Sequence, residues 1–366
     1  MTVCIAAICK GNSIVGCADR MLTSGDIEFE PDLDVLPVPE HLKPEDKIAF
    51  SLNGKIFQLT RFIAALTAGD SGLQAEILQG VYQTVTQRIF TDRERWWGVK
   101  EIAELYVVFY NQAKAKRLQT EIFEPLNLNV ETFIARQGEM KTDFLTNITD
   151  KIQRFEYNFR AVHGVETIVA GLDMSGFNST SGKSFFMPHI YTVFKSVNGD
   201  GINCCDPSGF AAVGGGMRHA ESQFMLAGHS SFSPMPETLL LTYMAKKRSE
   251  IAPGVGKKGT DMFVIEPQTT GFAMLANIDD LETKKFESIY SSMDKSQSKA
   301  FVSAKEKIKI HVDSMLKKRA EKQQSQVQQK SQKSPLDLGD IDAILKNYST
   351  SSTEPPTPTP ATQPAK

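Results

Sequence analysis

Apolar and polar positions alternate in blocks whose lengths suit strands near the chain start and helices further on. Thr2 to Cys9 (TVCIAAIC) is a short apolar run rich in β-formers, Lys10-Gly-Asn-Ser13 has turn chemistry, and Ile14 to Ala18 is a second apolar run that stops at Asp19. This predicts a β-hairpin. Both runs are too continuously apolar for a hairpin with one wet face, so both faces should be covered. Lys55 to Thr60, the turn Arg61-Phe62 and Ile63 to Gly69 predict a second strand pair. From Ser71 to about Phe90 the period becomes helical, through Leu73, Ile77, Leu78, Val81, Val85 and Ile89, with Asp70 or Ser71 as cap. A second amphipathic helix is predicted from Trp96 to about Ile122, with Ile102, Leu105, Val108, Phe109 and Ala113 on one stripe. Residues 123–160 suggest a further short helical piece rather than a separate domain.

Strand patterns return at Thr167–Gly171, Pro188–Val193 and Phe210–Val213, with Asn198–Gly201 as a turn. Gly214-Gly215-Gly216 opens a helix through about Leu226, Met235–Lys247 is another, and Met262–Ile265 and Phe272–Leu275 are strands. This order of strands, two helices, strands, two helices and strands predicts an α+β fold with two packed sheets between helical layers. A charged helical extension is expected over 281–321, followed by a disordered low-complexity tail over 322–366, because Gln, Lys, Pro and Thr cannot bury a core. Within that tail Leu336, Leu338, Ile341, Ile344 and Leu345 form an apolar island at 335–346. It reads either as residual helix or as a short docking motif for a partner groove.

Composition narrows the functional classes. The 366 residues are 41% hydrophobic and 23% charged, with net charge −2, so electrostatics make no case for nucleic acid or an anionic membrane. No apolar stretch is long enough for a bilayer. The five cysteines (Cys4, Cys9, Cys17, Cys204, Cys205) form no CxxC pair, which fits reduced thiols and a cytoplasmic location. The six histidines show no HExxH or clustered ligand spacing, so neither a metal nor a cofactor is expected.

The first hairpin carries the candidate chemistry. Aminopeptidases usually remove Met1 when a small residue follows. Removal would place a hydroxyl and a free α-amino group on Thr2, a nucleophile and a base on one residue. Pairing of the two strands brings Asp19 toward Thr2. Taken alone, the stretch also fits an apolar first strand with Thr2 frayed and Asp19 in a turn. With Thr2, the Ala18-Asp19 strand end, Lys55 at the head of its strand and Ala68-Gly69 before the first helix, the chain resembles the proteasome-type N-terminal nucleophile (Ntn) hydrolases, meaning proteasome β-subunits and their bacterial ring-forming relatives. The resemblance covers roughly residues 2–280, and the 14-residue step from Lys55 to Gly69 (69 − 55) fits it.

The resemblance implies a four-layer αββα sandwich and a threonine-type endopeptidase. Thr2 would supply nucleophile and amine, Lys55 a fixed positive charge, Asp19 the group that pairs with and orients Lys55, and the Gly69 N–H an oxyanion hole. It also implies a peptide or unfolded-protein substrate and a homo-oligomeric ring. Lys47 is a superficial rival to Lys55, but the run to Ala68-Gly69 follows Lys55 directly. The loop over Ser24–Asp46 looks longer than usual in the family, and reads as a pocket wall, a subunit contact or an ordinary surface loop. Two departures stand out. Gly214–Gly216 lacks the family's serine hydroxyl, and Gly254–Asp261 does not reproduce its Asp-then-Ser spacing, although Thr260 or Asp261 is a possible substitute. The competing readings are a catalytically silent scaffold subunit and an Ntn amidohydrolase acting on a small amide.

Overall fold

The structure, a computed structural model, describes residues 2–24, 27–30, 55–92, 96–162, 164–178, 183–193, 201–267 and 273–332. The predicted hairpin is β1 (Cys4–Cys9) and β2 (Ser13–Asp19), in register from Cys4 opposite Ala18 to Cys9 opposite Ser13. Every residue of both strands is buried, as their unbroken apolar runs require. Alternation of side chains splits β1 between two cores. Cys4, Ala6 and Ile8 join one cluster with residues of the second strand set. Val3, Ile5 and Ala7 join another with Phe224 and Leu241.

The protein is α+β, with two five-stranded antiparallel sheets. In the first sheet the hairpin is flanked by β10 (Phe210–Val213) beside β1 and by β11 (Thr260–Pro267) and β12 (Ala273–Ile278) beside β2. The second runs β5 (Ile56–Thr60), β6 (Ile63–Gly69), β7 (Val165–Asn178), β8 (Lys183–Val193) and β9 (Ile202–Cys204). A two-stranded ribbon, β3 (Leu22–Ser24) with β4 (Ile27–Phe29), follows the hairpin. Helices α1 (Ser71–Thr91) and α2 (Val99–Leu118) bury their apolar residues in the cluster that holds β5–β8. Helices α5 (Met217–Leu226) and α6 (Met235–Ser249) bury Phe224, Leu241 and Ala245 against β1 and β10. Asp70 caps α1 by accepting the Gly72 and Leu73 N–H groups at 2.8 and 3.0 Å, so the cap is Asp70 and not Ser71.

Several elements differ from their sequence patterns. Helix α2 starts at Val99 rather than Trp96, and its buried face runs through Val99, Ile102, Ala103, Tyr106, Tyr110 and Ala113, leaving Val108 exposed. The tyrosines shift the stripe, because their rings bury well despite a polar tip. The insert over 123–160 is more than a short piece. Besides α3 (Val130–Ala135) it contains α4 (Thr142–Val162), a 21-residue helix. Phe159 of α4 packs edge-on to Tyr110 of α2 at 5.8 Å, and Phe123, Phe133 and Ile148 form a small core of their own. Strands β7 and β8 extend well beyond their apolar centres, since paired backbone continues where Asp173 and Lys183 interrupt the pattern. The three-residue β9 has no apolar run to announce it, and the expected turn at Asn198–Gly201 lies outside the described residues except for Gly201.

The chain divides at Ser291/Ser292 rather than near 280. Helix α7 (Asp280–Gln332) begins in the first unit, where Phe286 and Tyr290 pack with Tyr243, Cys17 and Met262. The helix also runs on to Gln332, into the stretch whose composition predicts disorder from 322. That composition argument concerns burial, and helix propensity is separate from it: Gln, Lys and Glu are good helix formers even when nothing covers them. Residues 294–325 are exposed throughout. The apolar island at 335–346 lies outside the described residues. Among the described residues no helix is long and apolar enough to cross a membrane.

A polar knot ties β8 to its neighbours. His189 Nδ1 lies 2.6 Å from Asp206 Oδ2 and its Nε2 lies 3.8 Å from Asp173 Oδ2. Asp206 Oδ1 accepts the Ile190 N–H at 2.8 Å, and Asp173 Oδ1 accepts the Val99 N–H at 2.7 Å at the start of α2. The hydrogen bond to Asp206 raises the His189 pKa above its usual 6.5, against the opposing effect of burial. Burial pushes the Asp206 carboxyl up, but its hydrogen bonds to His189 and Ile190 outweigh that and bring it below the usual range. The His189 contribution to stability is therefore fully present below pH 6.5 and lost as pH rises through the raised value; the Asp206 contribution is lost only in acid. His189→Ala is expected to lower Tm more near pH 6 than near pH 9. Equal losses at both values in thermal melts would show that the ring acts by packing alone.

Candidate active site

Four local decisions of the chain position the site. Thr2 lies two residues before β1, Asp19 ends β2, Lys55 immediately precedes β5, and Gly69 ends β6. The hairpin register places the Asp19 N–H on the Val3 carbonyl at 3.2 Å, which sets Asp19 beside Thr2. Lys55 comes from the other sheet. Its carbonyl accepts the Thr67 N–H at 2.9 Å, so β5–β6 pairing fixes the head of the strand. A thread also runs between the sheets here, from the Cys4 thiol to the Thr67 carbonyl at 3.2 Å.

Thr2, Asp19 and Lys55 meet. The Lys55 ammonium donates to Thr2 Oγ1 and, at 2.7 Å, to Asp19 Oδ1, and the Thr2 hydroxyl is hydrogen-bonded to the same carboxylate oxygen. All three are nearly sealed from solvent, at 3%, 0% and 5% exposure. A buried carboxylate is tolerable only when its lone pairs are filled. Asp19 has five donors: the Thr2 hydroxyl, the Lys55 ammonium, and the N–H groups of Val3, Met21 and Gly256. Chemically, the arrangement holds a hydroxyl oxygen against a cation. That contact favours the charge which develops when the oxygen loses its proton and attacks an electrophile. Lys47 lies outside the described residues, as does most of the loop over 24–46.

Gly69 is placed but does not join this cluster directly. Its φ of +115° and its tight packing both demand glycine, since an added Cβ would sit 2.0 Å from the Gly164 carbonyl oxygen. By the two-residue repeat of a strand, the Gly69 N–H faces the same edge as the Thr67 N–H, toward the Lys55 end of β5.

Sequence reasoning missed the supports. Gly256 is one: the glycine-rich stretch after α6 holds Asp19 Oδ2 through the Gly256 backbone N–H, at 2.7 Å. Glu30 in turn pins that loop, accepting the N–H groups of Lys257, Lys258 and Gly259 at 3.2, 2.7 and 3.2 Å. A backbone donor leaves no residue-type signal, so only the run of glycines hinted at it. Thr260 lies opposite Asp19 on β11, and Asp261 is engaged by Arg20, whose Nε is 2.8 Å away. Among the described residues no cluster of three or more His, Cys, Asp or Glu side chains is arranged to hold a metal ion.

The chain matches no protein-family model and no curated protein.

Proposed function

We propose that this protein is a threonine-type endopeptidase of the proteasome-like Ntn-hydrolase class, with its two sheets and flanking helices forming the four-layer αββα sandwich of that class. The observation that carries the reading is the Thr2 hydroxyl held between the Lys55 ammonium and the Asp19 carboxylate in a buried site at the start of the first strand. Loss of Met1 gives Thr2 a free α-amino group. The hydroxyl oxygen attacks the scissile peptide carbonyl while its proton passes to that amine. Lys55 stabilises the negative charge developing on the attacking oxygen, and Asp19 holds Lys55 in place. The carbonyl oxygen becomes an oxyanion facing the Gly69 N–H, a donor of a kind typically worth about 3 kcal/mol. Collapse of this intermediate breaks the C–N bond, and the leaving nitrogen takes the proton from the amine. Water then hydrolyses the acyl ester on Thr2 and restores the hydroxyl.

Peptides or unfolded proteins are the substrate class, and a closed homo-oligomer that hides the nucleophiles is the working form. Free cysteines fit a cytoplasmic setting. The test uses the full chain beginning at Thr2, a panel of fluorogenic peptides and light scattering at micromolar concentration. Hydrolysis by a particle several times 40.5 kDa is expected. No hydrolysis of any peptide overturns the reading, and a monomer that cleaves only small amides favours an Ntn amidohydrolase instead.

A further inference from the structure

The Thr2 hydroxyl has two partners and the Thr2 carbonyl has a third, the Gly216 N–H at 3.1 Å. The α-amino group that Met1 removal creates needs a partner too, because its orientation decides whether it can take the hydroxyl proton. The loop beside it, Gly214–Gly216, offers no side-chain hydroxyl or carboxylate. Gly214 lies hard against Thr2, with φ +88°, and an added Cβ would stand 2.3 Å from the Thr2 carbonyl oxygen and 2.9 Å from Thr2 Cγ2. The Gly214 N–H points to Glu166 Oε2, at 2.6 Å. Summing these contacts with standard bond lengths puts that carboxylate oxygen no more than about 8 Å from the Thr2 carbonyl oxygen.

Strand registers place Glu166 there independently. Glu166 pairs with Ala68, the residue before Gly69, and Val213, which precedes Gly214, pairs with Cys4, two residues after Thr2. Glu166 thus stands where the second sheet meets the loop covering Thr2. The Cys4 thiol reports the same neighbourhood. Burial pushes its pKa far up, Lys55 opposes this, and both Asp19 and Glu166 add to it.

We propose that Glu166 is a positioning residue for the N-terminus, its carboxylate holding the Thr2 α-amino group in register with the Thr2 hydroxyl. The inference rests on the Thr2 reading above. Asp19 balances Lys55, and Glu166 then balances the second cation that the freed amine introduces when protonated, beside a lysine that would otherwise repel it. In this role Glu166 acts through the amine rather than on the reacting oxygen.

The experiment compares wild type, Glu166→Gln and Glu166→Asp, each freed as a fusion cleaved immediately before Thr2, so that processing by aminopeptidase plays no part. Gln keeps an acceptor for the Gly214 N–H and removes only the charge. The titration midpoint of the ¹⁵N-labelled Thr2 amine is expected to fall by about one pH unit in Glu166→Gln, and to stay near wild type in Glu166→Asp. The acidic limb of kcat/KM against pH should move with it, with roughly a tenfold loss at the optimum and KM nearly constant. An unchanged midpoint in Glu166→Gln overturns the proposal, as does equal behaviour of Gln and Asp, which would mark Glu166 as an anchor of the loop alone. If all three proteins, wild type included, fail to cut peptides, the peptidase reading fails, while the amine titration still decides the role of Glu166.

Discussion

Thr2→Ala is expected to abolish peptide hydrolysis, with a loss of at least about 1,000-fold in kcat/KM, while the protein folds normally. The size follows from the role, because no other hydroxyl contacts both Lys55 and Asp19 among the described residues. The small effect on stability follows from the count of donors to Asp19. Four remain after the hydroxyl is gone, so the buried carboxylate stays satisfied and the cost is on the order of 1 kcal/mol. Thr2→Ser should retain substantial activity, since it keeps the hydroxyl and the amine. Initial rates on fluorogenic peptides, with thermal melts as the folding control, give the comparison. Full activity in Thr2→Ala would mean that the catalytic oxygen lies elsewhere.

Lys55→Ala should be nearly as damaging to activity and, unlike Thr2→Ala, should also destabilise the fold. It removes the cation from a carboxylate that is fully buried. Breaking such a pair from one side costs about 3–5 kcal/mol, because the remaining charge is left uncompensated. A drop in Tm of several degrees is expected alongside the lost turnover. Lys55→Arg should not restore activity, since a planar guanidinium cannot take the place of one compact donor shared by Thr2 Oγ1 and Asp19 Oδ1. Lys47→Ala should leave rates close to wild type. If Lys47→Ala were the severe variant and Lys55→Ala the mild one, the site would have been built around the wrong lysine.

Much of this site was legible because its residues sit at strand ends, where apolar runs stop abruptly. Asp19 is the first charge after Ile14–Ala18, and Lys55 leads the run into β5, so punctuation marks both as strand ends, while their joining with Thr2 in one site was an expectation from the resemblance. The α+β class and the first hairpin were legible for the same reason. Other parts depended on contacts far apart in the chain. Glu166 reaches Gly214 across 48 positions and Gly256 reaches Asp19 across 237, the latter through a backbone N–H that any residue but proline possesses. The length of α4 was hidden in part because one of its buried residues, Phe159, meets Tyr110 on α2, a contact that spacing within the insert does not reveal. The end of α7 lies beyond the limit that composition suggests for the opposite reason: residues 294–325 are exposed, and a rule about burial cannot set the limit of an exposed helix.

On the proposed function Thr2 offers a nucleophilic hydroxyl and a free amine on one residue. A peptide epoxyketone tests both at once, because stable ring formation requires a hydroxyl and an adjacent primary amine. The protein beginning at Thr2 is incubated with the reagent and then analysed by intact-mass and peptide-mapping mass spectrometry. One adduct per chain is expected, located on Thr2, absent in Thr2→Ala and forming in parallel with loss of peptidase activity. Modification of another residue, or unmodified Thr2 in a protein that still cleaves peptides, would contradict it.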